Sequence, residues 1–291
     1  MAAREHLFAS TFWGVCRPKF PLTPGHFVIR LNDPSLAFDA ASATDLLHCY
    51  GRLRQALVDM SGATAAQLCM SRNWQPVGDA IGEPVSETST PSLHTFFAWP
   101  GSPTASAALK LPAHQRVRSG ETAALDAALR EWAAEASGSP ADPSPAPSTE
   151  QAPEATDPEI GLSAGPWTSR AFLMEAVQEI PGSPAAAGHW TAVPRGAVDS
   201  LDAVGVEALL ELAAGVEELA WNSSPRHAGM TVWANDVWGT PAIIHVFGRQ
   251  HGSGGGQLAA FAQAGGLDLP VAAAKDAGQG KSARPSPTVE K

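Results

Sequence analysis

Apolar and polar positions along this chain fall into one order that occurs twice. In the first half, Phe27 to Leu31 reads as a strand. Ala43 to Met60 follows, with Leu46, Leu47, Tyr50, Leu53 and Leu57 at the three-to-four spacing of a buried helix face. Gln67 to Ser71 and Leu93 to Trp99 are short apolar runs that predict two more strands, and Leu125, Leu129 and Trp132 mark a helix over Glu121 to Ala136. In the second half, Phe172 to Gln178 and Trp190 to Val193 predict strands. An Ala- and Leu-rich helix runs to Leu219 with Asp202 as its expected N-cap. Met230 to Ala234 and Ile243 to Phe247 are then expected to pair around a turn at Asn235-Asp236 and Gly239-Thr240-Pro241. Strand, helix, strand, strand, taken twice, predicts an α+β fold with a largely antiparallel sheet built from an internal repeat.

Each copy opens on the same short motif, Pro24-Gly25-His26 in the first half and Ala187-Gly188-His189 in the second. A histidine that follows glycine at the start of a strand in both copies is expected to hold the turn. Between the copies, Ser137 to Glu159 is crowded with Pro and Ser and has no large apolar residue, so it reads as a disordered linker. The end of the chain has the same character. The division expected is 5–136, linker 137–159, 160–270 and tail 271–291.

Composition narrows the function. The chain has 291 residues and a net charge of −10, with no cluster of Lys and Arg, so neither nucleic acid nor an anionic membrane surface is an expected partner. Three widely separated cysteines, Cys16, Cys49 and Cys69, suggest neither a disulfide framework nor a thiolate metal site. No cofactor motif is present, and no apolar leader or spanning segment is read, which points to the cytoplasm. Asp45, Asp199 and Glu207 have no spacing suited to paired acid–base chemistry and read as solvated helix faces. Trp190, Trp233 and Trp238 read as core.

The chemistry-bearing positions lie at the strand ends. Ser92-Leu93-His94-Thr95-Phe96-Phe97 sets one histidine at the centre of a strand, with Ser89, Thr90 and Ser92 beside it. Taken alone, that histidine suits a hydrogen-bonded core position as well as a phosphate site. Before it, Ser71-Arg72-Asn73-Trp74 opens a stretch about twice as long as that from Asn235 to His245, and long loops in compact domains commonly carry function. It offers Arg72 to a phosphate and Trp74 for stacking. In the second half, His245-Val246-Phe247-Gly248-Arg249 leads into His251 and a Gly-rich run, either an anion cradle or a plain connector.

Together, Gly-His before a strand, a helix, an Asn before a His-bearing strand, and a strand ending in Gly-Arg resemble the histidine-triad (HIT) superfamily. That superfamily includes nucleotide hydrolases, diadenosine polyphosphate phosphorylases and galactose-1-phosphate uridylyltransferase, and the tandem copies are most similar to the last. The resemblance covers about 24–99 and 172–252. It implies two HIT-like repeats paired into one pseudo-dimeric antiparallel sheet with helices outside, and leaves a homodimer open. It also implies nucleotidyl transfer, phosphorolysis or hydrolysis on a nucleotide or nucleotide-sugar. In the family the middle histidine of His-φ-His-φ-His-φφ attacks phosphorus and forms a covalent intermediate.

In that frame Ser92, His94 and Phe96 occupy the three positions. His94 is then the expected nucleophile, Ser92 and Thr90 are phosphate donors, and Arg72 and Asn73 are binding groups, with Asn235 the counterpart of Asn73. Anchoring the second copy on Gly248-Arg249 puts Pro241, Ile243 and His245 at the same positions. The second copy is therefore expected to be catalytically dead, with His245 and Arg249 on the substrate-binding side. Loss of both flanking histidines supports the alternative, a degenerate HIT protein that binds a nucleotide or partner without catalysis.

Overall fold

The computed structural model describes residues 6–18, 21–71, 92–103, 105, 108, 119–138, 167–177, 188–196, 201–222, 229–240 and 242–249. The described residues form ten strands: β1 His6–Ala9, β2 Trp13–Cys16, β3 His26–Leu31, β4 Ala65–Ser71, β5 Ser92–Ala98, β6 Trp167–Thr168, β7 Phe172–Ala176, β8 His189–Pro194, β9 Gly229–Val237 and β10 Ile243–Arg249. The helices are α1 Ala40–Ser61, α2 Ser119–Gly138 and α3 Val206–Asn222. All ten strands join one sheet in the order β1-β2-β3-β5-β4-β9-β10-β8-β7-β6, with every pairing antiparallel.

That order is a palindrome. Reading outward from the β4–β9 seam, each strand of the first half has its mate in the second, and the expected α+β architecture with an antiparallel sheet built from two copies is the one observed. The seam runs from Ala65 opposite Val237 to Ser71 opposite Thr231, with Cys69 facing Trp233. Cys69 also faces His94 on β5, and Trp233 faces His245 on β10. The pseudo-two-fold axis therefore passes through the Cys69–Trp233 pair.

Alternate residues of a strand face opposite sides, so the sheet has two distinct faces. One carries Phe27, Ile29, Leu31, Leu68, Ala234, Ile244 and Val246, which form the main core with Leu46, Leu53 and Leu57 of α1 and Leu212 and Val216 of α3. The sequence of α1 explains both its ends. Asp39 accepts from the N–H groups of Ala41 and Ser42, the Ser42 hydroxyl accepts from Asp39 N–H, and Gly62 closes the helix at φ 65. Asp45 is not a solvated helix-face residue. Its Oδ2 accepts from Ser10 Oγ at 2.7 Å and Phe12 N at 2.6 Å, tying α1 to the β1–β2 turn.

Several expectations need correction. Asp202 is not the N-cap of α3: it sits in a 3-10 turn, Leu201–Ala203, and the helix starts at Val206 after Gly205. Asn235 and Asp236 lie inside β9, and the turn is at Gly239 with φ 83. Glu207 is exposed in the first turn of α3, and Trp233 is core at 1% exposure, whereas Trp190 and Trp238 are half-buried. Ser137 and Gly138, expected to open the linker, are the last residues of α2. The rest of that segment, Asp199 and the C-terminal tail lie outside the described residues. No described helix is long and apolar enough to cross a membrane.

Candidate functional site

The face opposite the main core carries the histidines. Residues paired directly across antiparallel strands share a face, so one lateral row runs Val28, His94, Cys69, Trp233, His245, Thr191 over six strands. With strands spaced about 4.8 Å, His94 and His245 stand about 14 Å apart on either side of the axis. A single phosphate can touch only one of them.

Each strand histidine is held by the histidine of the Gly-His motif. His26 Nε2 lies 3.0 Å from His94 Nδ1, and His189 Nε2 lies 3.1 Å from His245 Nδ1. The ring centroids are 5.3 Å apart in both pairs, at 39° and 38°. His26 stacks on Phe96 at 4.3 Å, and His189 stacks on Phe247 at 4.4 Å. The two constellations are the same object built twice. This overturns the frame that set Ile243 opposite His94: strand pairing makes His245 the mate of His94, with Ile243, His245 and Phe247 matching Ser92, His94 and Phe96.

The glycine of the motif makes the pairing possible. Gly25 O accepts from Phe97 N at 2.9 Å, and Gly188 O accepts from Gly248 N at 2.7 Å. Leu22 N–H then donates to His26 Nδ1 at 3.1 Å. A backbone N–H can only donate, so Nδ1 of His26 is an acceptor. Burial, followed by the neighbouring His94 and Arg17, holds His26 well below the usual imidazole range and therefore neutral. A neutral imidazole carries one N–H, which must sit on Nε2. That N–H donates to His94 Nδ1, so the proton of neutral His94 sits on its far nitrogen, Nε2.

This proton order bears on the nucleophile. Attack through His94 Nε2 needs a lone pair there and a proton on Nδ1. His26 Nε2 would then have to accept, and its proton would move to Nδ1, facing the Leu22 N–H. Two donors would oppose each other in a buried site. The hydrogen bonds thus equip His94 to donate through Nε2.

Arg17 supports the motif from behind. Its Nη1 donates to Pro24 O at 2.7 Å and His26 O at 2.6 Å, while Nη2 and Nε engage Asp126 on α2 at 2.6 and 3.0 Å. Burial lowers the Arg17 pKa and Asp126 opposes that shift. Between the histidine pairs lie Phe96, Trp233 and Phe247 in an apolar cluster with Leu22 and Cys69. Thr231, buried on this face opposite Phe247, has a hydroxyl with no hydrogen-bond partner. Burial pushes the Cys69 thiol up to about 12, as it does Cys49, so both are unreactive as nucleophiles.

Of the residues singled out from sequence, His94, Ser92 and His245 are brought to this face, and β10 carries Arg249 at its end. Arg72, Asn73, Thr90 and Ser89 lie outside the described residues, as do Trp74, His251 and the Gly-rich run. Asn235 is not the mate of Asn73, since the axis through Cys69 and Trp233 pairs it with Ser71. Asn235 Oδ1 accepts from Trp233 Nε1 at 3.0 Å and Gln67 Nε2 at 3.2 Å, spanning the seam. His26, His189 and Thr231 were missed as site residues. For the first two the repeated Gly-His motif was the available signal. Among the described residues no group of three metal-type ligands assembles.

The histidine pairs make stability pH-dependent. Burial and then His245 push His189 down to about 4, and burial lowers His245. From about pH 6.5, the unfolded value, down to the folded values, the unfolded chain binds more protons than the folded one. The melting temperature is expected to be flat above pH 7 and to fall from pH 6.5 toward 4. His189→Gln should make that fall shallower in a series of thermal melts, and an unchanged slope would show that other groups drive it.

No protein-family profile matches this chain, and no curated protein matches it in sequence. Among solved structures it is similar to a GalT-like protein from Arabidopsis thaliana, at 11% identity and a TM-score of 0.46, over 87% of this chain and 81% of that one. It is similar also to an ADP-glucose phosphorylase from Arabidopsis thaliana with bound ADP-glucose, at 12% identity and 0.45, over 87% and 78%. A uridylyltransferase matches at 10% identity and 0.39, over 83% and 74%. The fold itself is read from the palindromic strand order and the doubled histidine pair, which stand apart from these neighbours.

Proposed function

We propose that the chain binds a nucleotide or nucleotide-sugar on its histidine face without forming a nucleotidyl-histidine. The observation that carries this reading is the chain of hydrogen bonds from Leu22 N–H through His26 to His94, which leaves His94 Nε2 as a donor. A ring N–H suits a phosphate oxygen, the group that any nucleotide or nucleotide-sugar presents. The same pairing in the second half offers His245 in the equivalent position. The unpartnered Thr231 hydroxyl supports it further, because a buried polar group without a partner costs free energy that a ligand oxygen or water would recover. Phe96 and Ile243, in place of flanking histidines, agree with binding in the absence of covalent chemistry. Small-molecule phosphates, not nucleic acid, are the ligand class.

The experiment is a titration of the full chain with a panel of nucleotides and nucleotide-sugars, followed by intact-mass measurement on the same samples. Binding with no covalent mass increment is expected. His94→Ala should weaken binding by about 10- to 100-fold, the range of a hydrogen bond to a charged group. His94→Gln, which keeps an N–H donor, should lose less. A stable nucleotidyl increment that His94→Ala abolishes would restore the nucleophile. Binding by no member of the panel would leave the histidine pairs purely structural.

A further inference from the structure

On the side of the sheet away from the histidines, a half-open apolar pocket with room for about 180 Å³ lies between the sheet and helices α1 and α3. It sits over the pseudo-two-fold axis. Leu68 of β4 and Val232 of β9, which the axis relates, both line it, and α1 contributes Leu46 and Tyr50 while α3 contributes Leu212 and Ala213. Pockets lined mainly by apolar side chains are few in a protein and are the usual places for small ligands, so one of this size is a feature to be explained.

The lining offers water little to bind. An ordered water needs two to four polar partners, and among the described lining residues only Tyr50 carries a polar hydroxyl, the rest being hydrocarbon side chains and the Met70 thioether. The Tyr50 hydroxyl is engaged at 2.7 Å by Asp236, whose carboxylate also accepts from Leu201 N–H at 3.1 Å and Trp238 Nε1 at 3.2 Å. In volume the pocket has room for a single ring, since an apolar cavity of about 150 Å³ takes up benzene.

We propose that this cavity binds a compact apolar molecule, a single hydrocarbon ring or short branched chain with no hydrogen-bonding group. Such a ligand touches both halves of the repeat at once and ties α1 to α3 across the axis. It lies on the opposite face from the histidine pairs and does not depend on what they bind.

Toluene is the probe, and the melting temperature of the full chain the readout. A ligand that binds only the folded state raises that temperature as its concentration rises. Toluene should raise the midpoint of the unaltered protein by several degrees, in a saturable way. Ala213→Phe, which fills the space, should abolish the shift. Val232→Ala, which enlarges it, should lower the starting midpoint and increase the shift. A flat response of the unaltered protein overturns the proposal, and so does an equal shift in a folded Ala213→Phe protein. Should Ala213→Phe fail to fold, Val232→Ala decides: a toluene shift no larger than that of the unaltered protein is the overturning result.

Discussion

Asp126→Ala is expected to lower the unfolding free energy by about 3–5 kcal/mol, the range for removing one partner of a buried ion pair. Arg17 and Asp126 are 6% and 2% exposed, and the guanidinium makes two close contacts to the carboxylate at 2.6 and 3.0 Å. The aspartate is the only carboxylate paired with Arg17 among the described residues. Without it, a cation remains buried over the Phe27 ring, 3.9 Å from the centroid, with carbonyl acceptors alone. Those carbonyls belong to Pro24 and His26, so the damage reaches the motif that positions His94. Chemical denaturation followed by circular dichroism measures the loss. The double replacement Arg17→Met with Asp126→Leu should recover most of it, since well-packed apolar residues commonly substitute for a buried pair without penalty. A loss below about 1 kcal/mol for Asp126→Ala would mean that water reaches the guanidinium.

The longer strands and the helices were legible because each has a periodic pattern of its own. Leu46, Tyr50, Leu53 and Leu57 mark one face of α1, and Ile243 to Phe247 can only be a strand. Four-residue β1 and β2 and two-residue β6 are too short to show a period, although β1 pairs with β2 and β6 with β7 across short turns. Asn235-Asp236 reads as a turn because polar residues end most strands. Here both are paired by groups distant in sequence, Gln67 and Tyr50, which no local pattern reveals. The site divides in the same way. His94 could be singled out from its neighbours and from the family resemblance, whereas the frame of the second copy could not be fixed. Gly248-Arg249 is a plausible anchor in one dimension. Only the pairing of His245 with Trp233, across from Cys69 and His94, decides that His94 and His245 are mates. The proton order in the histidine pairs is less legible still. It depends on Leu22 N–H, four residues from His26, and on a contact between His26 and His94 that spans 68 positions.

Gly25→Ala should cost about 3 kcal/mol, at the upper end of the range for forcing extra volume into a packed core. The reason is space rather than dihedral angle. A Cβ at position 25 would overlap Phe97 O and lie 2.9 Å from Phe97 C, both backbone atoms of a central strand that cannot swing aside like a side chain. Moving β5 to make room breaks the Phe97 N–H to Gly25 O bond and draws His94 away from His26. Gly188 in the second copy has a different constraint. Its φ of 86 lies in the left-handed region, where an L-residue is strained by about 1–2 kcal/mol. Gly188→Ala is therefore expected to be the milder substitution, although the two glycines accept equivalent hydrogen bonds. Thermal and denaturant melts of both variants test the ordering. Equal losses would show that the close approach of Gly25 to β5 relaxes without penalty, and that the repeated glycine serves only the turn.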